Sequence, residues 1–212
     1  MAHRARGLPA ALARVPFGVL RPMDASAVYA HPRPEFRRLT DGGVLHRLAT
    51  GYYAVVPAAA HDRAWVPSLE AAAFGIAAAD YGSGFVALMG LSAARLHGGV
   101  PRGLGVAVVA VPKQRPPVRL LDRESTVVFV RRSVERLEVE ASRSDLGRVM
   151  VTTIEQTVLD LAHRPDLGGI PDEARAAVAA LWPRVDVSEL RRLAGGQRLR
   201  AAADRAVEWA GR

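Results

Sequence analysis

The chain has 212 residues, of which 50% are hydrophobic and 6% aromatic, and its formal net charge at pH 7 is +8. It contains no cysteine, which excludes disulfide bonds, zinc sites built on thiolates and cysteine nucleophiles. Its longest apolar run, Phe85–Leu91, is too short to span a bilayer, and no apolar signal segment follows the N-terminal arginines, so the sequence predicts a cytoplasmic protein with no membrane partner.

The first 57 residues carry the pattern of a winged helix-turn-helix. Helical periodicity and a proline-marked turn at His31-Pro32-Arg33-Pro34 predict three helices, over 8–15, 25–30 and 34–40. Two β-rich runs follow, 44–48 and 52–56, and the short glycine-containing loop between them indicates a hairpin. Helices followed by a hairpin in this order are typical of a winged DNA-binding module.

Charge within this module favours a polyanionic partner. Eight arginines stand against only three acidic residues in 1–57. If Phe36 and Leu39 anchor the third helix, the arginines beside them project outward, where such helices reach base edges. The predicted DNA-binding residues are Arg33, Arg37 and Arg38 on the helix and Arg47, Thr50 and Tyr52 on the wing. The alternative is an exposed basic helix without a function.

The remaining chain is predicted to be a linker, 58–64, and an α+β domain, 65–212. Two helices are expected first, over 65–79 and 85–96, and the second is apolar nearly all round. Three or four antiparallel strands should follow, over 105–111, 117–121, 126–131 and 137–140. The C-terminal part is predicted to be helical, over 152–162, 171–181, 187–194 and 197–210. The fold class is therefore α+β, with a small, mostly antiparallel sheet packed by helices.

Three segments carry a family resemblance, and they occur in the order expected for that family. Gly43–Pro57 is similar to the wing of AbiEi-type antitoxins, which regulate toxin–antitoxin operons. Gly90–Gly98, with Ser-Ala-Ala-Arg-Leu-His-Gly, and Val149–Ala162, with Val-Thr-Thr-Ile-Glu-Gln-Thr-Val-Leu-Asp-Leu, resemble two further segments of the same family. The resemblance implies an autorepressor that binds operator DNA, and a nucleotidyltransferase-like toxin as its partner.

Few residues suggest catalysis. Ser92 and His97 are five residues apart and do not share a helix face, so we expect them to bond backbone rather than form a triad with Asp160. Asp160 lies in an apolar helix and needs a partner: it is either a cap or the ion-pair partner of an arginine from the sheet, or else an acid at an active or partner site. His163 and Asp166 superficially match a kinase catalytic loop, but Pro165 interrupts it and no glycine-rich loop is present.

A second basic stretch lies between Tyr81 and Leu121, where there is no acidic residue. Its cations could hold a phosphate backbone or an acidic protein surface, or could simply be solvated: Arg95, Arg102, Lys113, Arg115 and Arg119. No motif predicts a metal or a cofactor.

Two further functions stay open beside the antitoxin that binds its toxin and its operator, with self-association on the DNA. The larger domain could modify the toxin covalently with ATP and Mg²⁺, using Asp160, His163 and Asp166. Alternatively, the protein could be a stand-alone regulator with a small-molecule sensor domain.

Overall fold

The computed structural model describes residues 7–13, 15–60 and 64–211. The fold is α+β, with a three-stranded antiparallel sheet near the N-terminus and a six-stranded mixed sheet in the larger part. No helix among the described residues is long and apolar enough to cross a bilayer.

The N-terminal module consists of short elements around a small core. A single helical turn, α1 (Ala10–Ala13), precedes β1 (Val19–Leu20), and a 3-10 turn (Pro22–Ala25) precedes helix α2 (Pro32–Asp41). Strands β2 (Leu45–Ala49) and β3 (Tyr52–Val55) form the predicted hairpin, and β1 pairs with β3 on its other side. The core of the module comprises Leu12, Leu20, Ala25, Phe36, Leu39 and Leu45.

The second helix of the module was predicted wrongly. Instead of a helix over 25–30, the chain makes the 3-10 turn and one further turn, in which the Tyr29 N–H donates to the Ala25 carbonyl. Pro32 keeps His31 out of the α region, so a helix begun at Ala25 has room for fewer than two turns, which is too short to be stabilised by its own hydrogen bonds. Helix α2 begins two residues earlier than predicted, since its first turn does not need the missing proline N–H groups.

The larger sheet has the strand order β6-β7-β5-β4-β9-β8. Its strands are β4 (Ala87–Leu88), β5 (Val106–Val111), β6 (Val118–Arg119), β7 (Thr126–Arg131), β8 (Val139–Ser144) and β9 (Gly147–Thr152). The expectation of a small, mostly antiparallel sheet was too simple, because β5 with β7 and β4 with β9 pair in parallel. Strand β5 is buried at every residue, as a strand covered on both faces must be.

Helices cover the two faces of this sheet. Helix α3 (Leu69–Tyr81) packs on one face, and a helical layer lies on the other. That layer comprises α4 (Gly90–Leu96), α5 (Ile154–His163), α6 (Pro171–Leu181), α7 (Val187–Gln197) and α8 (Arg200–Ala210). The predicted helix over 85–96 is split into β4 and α4, and Gly90, with φ of +55°, makes the sharp turn between them.

The module and α3 share one hydrophobic cluster. Val19 and Ala54 of the module pack with Phe74 and Ile76 of α3. The approach is so close that a Cβ added at Gly75 would lie 2.3 Å from a methyl group of Val19. The module therefore has a small core of its own and also packs against α3.

Candidate functional site

Helix α2 presents arginines to solvent. Phe36 and Leu39 are fully buried and hold its inner face, while Arg33 and Arg37 are exposed. Neither arginine has an acidic partner among the described residues, whereas Arg38 forms an ion pair with Glu35, 3.0 Å between Nε and Oε2. The two helix arginines are therefore available to an outside anion.

The hairpin adds one further arginine. Arg47 of β2 is exposed, has no ion pair in the described part of the chain, and lies opposite Tyr53 in the ladder. Thr50 is exposed at the tip of the hairpin. We call Arg33, Arg37 and Arg47 the free arginines of the module.

Tyr52, the remaining predicted DNA contact, is turned toward the larger part of the molecule. Its hydroxyl lies 2.8 Å from a carboxylate oxygen of Asp80 at the end of α3, and Arg115 Nη1 donates to the same hydroxyl at 3.0 Å. Arg21 Nη1 donates to Asp80 at 2.9 Å, and Arg115 also contacts that carboxylate directly. We call these four residues the Asp80 junction. Within this junction the Tyr52 hydroxyl forms its hydrogen bonds with Asp80 and Arg115.

A second polar contact joins the hairpin to the loop after β6. His46 Nε2 lies 2.7 Å from Asp122 Oδ2, and Arg123 binds the same carboxylate. Burial acts to raise the pKa of Asp122, but the hydrogen bonds from Arg123 and His46 outweigh it and lower that pKa below its ordinary value. The hairpin is thus held to the larger part of the molecule by two carboxylates.

Most of the second basic stretch is neutralised by distant acids. Arg95 donates to buried Glu70 at 2.8 Å, Arg102 pairs with Glu173, and Arg115 belongs to the Asp80 junction. Lys113 and Arg119 are exposed and have no ion pair among the described residues. The five cations therefore do not form one continuous free surface.

Ser92 and His97 bond backbone groups, as expected. Ser92 Oγ accepts a hydrogen bond from the Val108 N–H at 2.9 Å, and His97 Nε2 lies 2.7 Å from the Thr152 carbonyl oxygen. Asp160 binds Arg132 instead of His97. These contacts join α4 to the sheet and leave the three residues without the geometry of a triad.

Buried Asp160 forms an ion pair with an arginine, as expected for a carboxylate in an apolar helix. Its Oδ1 lies 3.3 Å from Arg132 Nη1, directly after β7, and 3.1 Å from Gln156 Nε2, while Oδ2 has no hydrogen-bond partner among the described residues. Burial raises the pKa of this carboxyl to about 6, against the opposing effects of Arg132 and Gln156.

This raised pKa predicts a pH-dependent stability. Between about pH 4 and 6 the folded chain holds a proton on Asp160 that the unfolded chain has released, so this carboxyl favours folding at low pH and that contribution is lost as pH rises through 6. The shift corresponds to about 3 kcal/mol. Relative to the wild type, Asp160→Asn should therefore gain about 3 kcal/mol in free energy of unfolding between pH 4 and 7.

Urea unfolding of both proteins across that range measures the difference. Burial and neighbouring arginines lower the pKa of His163, which gives the opposite pH dependence, but both proteins contain this group and it largely cancels. A difference that does not vary with pH would contradict the prediction.

A large polar cleft opens where the ends of β5 and β7 meet α7, and we call it the α7 cleft. Its volume is about 1280 Å³. Five arginines line it, together with His163: Arg131, Arg132, Arg136, Arg192 and Arg198. The lining also includes the exposed aromatic ring of Phe85 and the buried apolar side chains of Leu137 and Leu193. Of the three residues considered for catalysis, His163 lines the cleft, Asp160 is paired with Arg132, and Asp166 lies on an exposed turn.

Sequence reasoning did not find this cleft, because its arginines come from separate elements. The only local signals are the pair Arg131-Arg132 at the end of a strand and Gly195-Gly196 before Arg198. No cluster of three or more histidine or acidic side chains that could hold a metal occurs among the described residues.

Comparison with solved structures shows a similarity of fold. No protein-family model and no curated protein matches the chain. The crystal structure of the RV2827C protein from Mycobacterium tuberculosis is similar, with a TM-score of 0.54 and 20% identity, over 95% of this chain and 78% of that chain. At this identity the similarity concerns the fold alone.

Proposed function

We propose that the protein is a cytoplasmic transcriptional repressor that binds operator DNA through a winged helix-turn-helix in its first 57 residues. In this proposal helix α2 acts as the recognition helix and the β2–β3 hairpin as the wing, while the 3-10 turn at Pro22–Ala25 stands where such motifs have their first helix. The observation that carries the proposal is the set of free arginines. They lie on the helix and the wing, which are the two elements that contact DNA in such modules.

The hydrogen-bonding geometry of arginine favours DNA over a simple anion. Arginine can donate two parallel hydrogen bonds to guanine O6 and N7 in the major groove, and it also binds phosphates. The buried side chains of α2 fix the helix on its core, so its exposed arginines are presented by a rigid element. Winged-helix repressors commonly act in pairs, so we propose binding to inverted repeats about one helical turn apart.

Equilibrium binding tests this part of the proposal. The full chain should bind the duplex upstream of its own gene at least a thousandfold more tightly than a shuffled duplex of the same composition, at a fixed salt concentration. The logarithm of its affinity should fall linearly with the logarithm of the salt concentration, because phosphate contacts release counterions. Equal affinity for both duplexes would overturn sequence-specific binding.

We further propose that the repressor is an antitoxin. This step is supported by the three segments that resemble AbiEi-type proteins, and the second and third of them are in contact here: His97 meets the Thr152 carbonyl, and α4 packs on α5. A neighbouring gene for a nucleotidyltransferase-like protein would supply the partner.

Co-expression with that neighbouring protein tests the antitoxin function. We expect the chain to restore growth and to co-purify with the toxin, whose intact mass stays unchanged. A gain of one phosphate in toxin mass would instead identify covalent modification, and failure to restore growth would leave a repressor without antitoxin activity.

A further inference from the structure

The α7 cleft carries more positive charge than its acidic residues neutralise. Arg132 is paired with Asp160, and Arg192 with Glu138 and Glu189. The other three arginines of the lining are exposed and have no acidic partner among the described residues: Arg131, Arg136 and Arg198. The acids of the lining are Glu135 and Glu138, so the cleft attracts anions.

The backbone of one of these arginines, Arg198, has an energetically unfavourable conformation. Arg198 follows the last turn of α7 with φ of 60° and ψ of 38°, the left-handed region that normally favours glycine. Gly195 and Gly196 lie one residue further back, before Gln197, yet the left-handed position itself carries an arginine that lines the cleft. Strain of this kind is often associated with a binding site.

The cleft also contains an aromatic ring that packing leaves uncovered. Phe85 is 57% exposed, and its 3-10 turn, Ser83–Phe85, packs against the 3-10 turn Val134–Arg136. The ring and Arg136 therefore belong to neighbouring walls of one cleft. An exposed ring beside guanidinium groups suits a ligand that has both a planar base and a phosphate.

We propose that the α7 cleft binds a nucleoside phosphate. Phe85 stacks on the base, and the guanidinium groups of Arg131, Arg136 and Arg198 bind the phosphates. The volume of about 1280 Å³ exceeds the usual range for small-molecule sites, so a nucleoside triphosphate fits. This inference is independent of the proposed DNA binding, because the site and the free arginines of the module share no residue.

Calorimetric titration of the full chain tests the proposal with ATP, AMP, tripolyphosphate and adenosine. ATP should bind at least tenfold more tightly than AMP, and adenosine should not bind detectably, because the arginines bind the phosphates. Arg131→Gln and Arg136→Gln should each weaken ATP binding about tenfold. The matched control is Arg175→Gln, an exposed arginine of α6 outside the cleft, which should change nothing.

Two variants separate ligand binding from a structural role. Phe85→Ala should weaken ATP binding about tenfold and leave tripolyphosphate binding unchanged, because only ATP has a base to stack. Arg198→Gly should weaken ATP binding while raising the thermal midpoint by about 2–4 °C, since glycine relieves the backbone strain. A purely structural arginine would not give this opposite pair of effects.

Three outcomes would overturn the proposal. They are no ATP binding at millimolar concentration, equal effects of Phe85→Ala on ATP and tripolyphosphate, and binding that Arg131→Gln and Arg136→Gln leave unchanged. A single-stranded oligonucleotide that displaces ATP and loses affinity in the same variants would assign the cleft to nucleic acid instead.

Discussion

Simultaneous replacement of Arg33, Arg37 and Arg47 by alanine should abolish specific operator binding at physiological salt. Each arginine that contacts a base contributes about 1–3 kcal/mol, so the triple variant should lose at least about 3 kcal/mol, more than a hundredfold in affinity. The three side chains are exposed and do not pair with acids in the described part of the chain, so their removal should leave folding intact.

Single variants should show how much each arginine contributes to operator affinity. Arg37→Ala should cost more affinity than Arg38→Ala, because Arg38 already forms an ion pair with Glu35 that binding must break or share. A variant that removes a phosphate contact should reduce, by about one, the slope of the logarithm of affinity against the logarithm of salt concentration. A variant that removes a base contact should instead relax specificity at one position of the operator.

The matched control removes the same number of charges elsewhere. Arg143 and Arg148 face each other across the β8–β9 hairpin, and Arg175 lies on α6; all three are exposed. Replacing these three by alanine changes the net charge equally, so its effect measures the general attraction of a basic protein to DNA. Similar losses in both triple variants, measured by fluorescence anisotropy, would contradict a specific interface on α2 and the wing.

Residue patterns within short segments correctly predicted helix α2 and the β2–β3 hairpin, because both depend mainly on nearby residues. The spacing of Phe36 and Leu39, with proline at the start, predicted a helix with arginines outside, and Thr50-Gly51 between β-rich runs predicted the hairpin. An isolated carboxylate in an apolar helix also predicted an ion pair for Asp160, and its partner is Arg132, directly after strand β7.

Long-range pairing is what the sequence did not reveal. Strands β5 and β7 pair directly in the sheet although β6 lies between them in the chain, and hydrophobic periodicity cannot show which strands become neighbours. The acid-free stretch from Tyr81 to Leu121 suggested a free basic surface, yet Glu70 and Glu173 reach it from other elements. Tyr52 was likewise predicted to contact DNA from the hairpin, while its hydroxyl binds a carboxylate of α3 that lies 28 residues away in the chain.

Replacement of Asp80 by alanine should destabilise the protein by about 2–4 kcal/mol. The Asp80 side chain is only 14% exposed and is the acid between Arg21 and Arg115, so its removal leaves two arginines near each other and the Tyr52 hydroxyl without its acceptor. Loss of one partner from a buried ion pair commonly costs about 3–5 kcal/mol, and the roughly one-fifth exposure of both arginines lowers the expected value. Asp80→Asn keeps the shape and an oxygen acceptor, so it should cost less.

The loss should be concentrated at the contact between the module and α3. Hydrogen exchange should accelerate most in β1 and β3, which pair with each other and lie against α3, and least in β5, which is buried in the centre of the larger sheet. In a double-mutant cycle, Arg115→Ala should cost much less in the Asp80→Ala background than alone, because the two residues share one interaction. Additive costs, or faster exchange spread evenly over both sheets, would show that the Asp80 junction does not hold the N-terminal module in place.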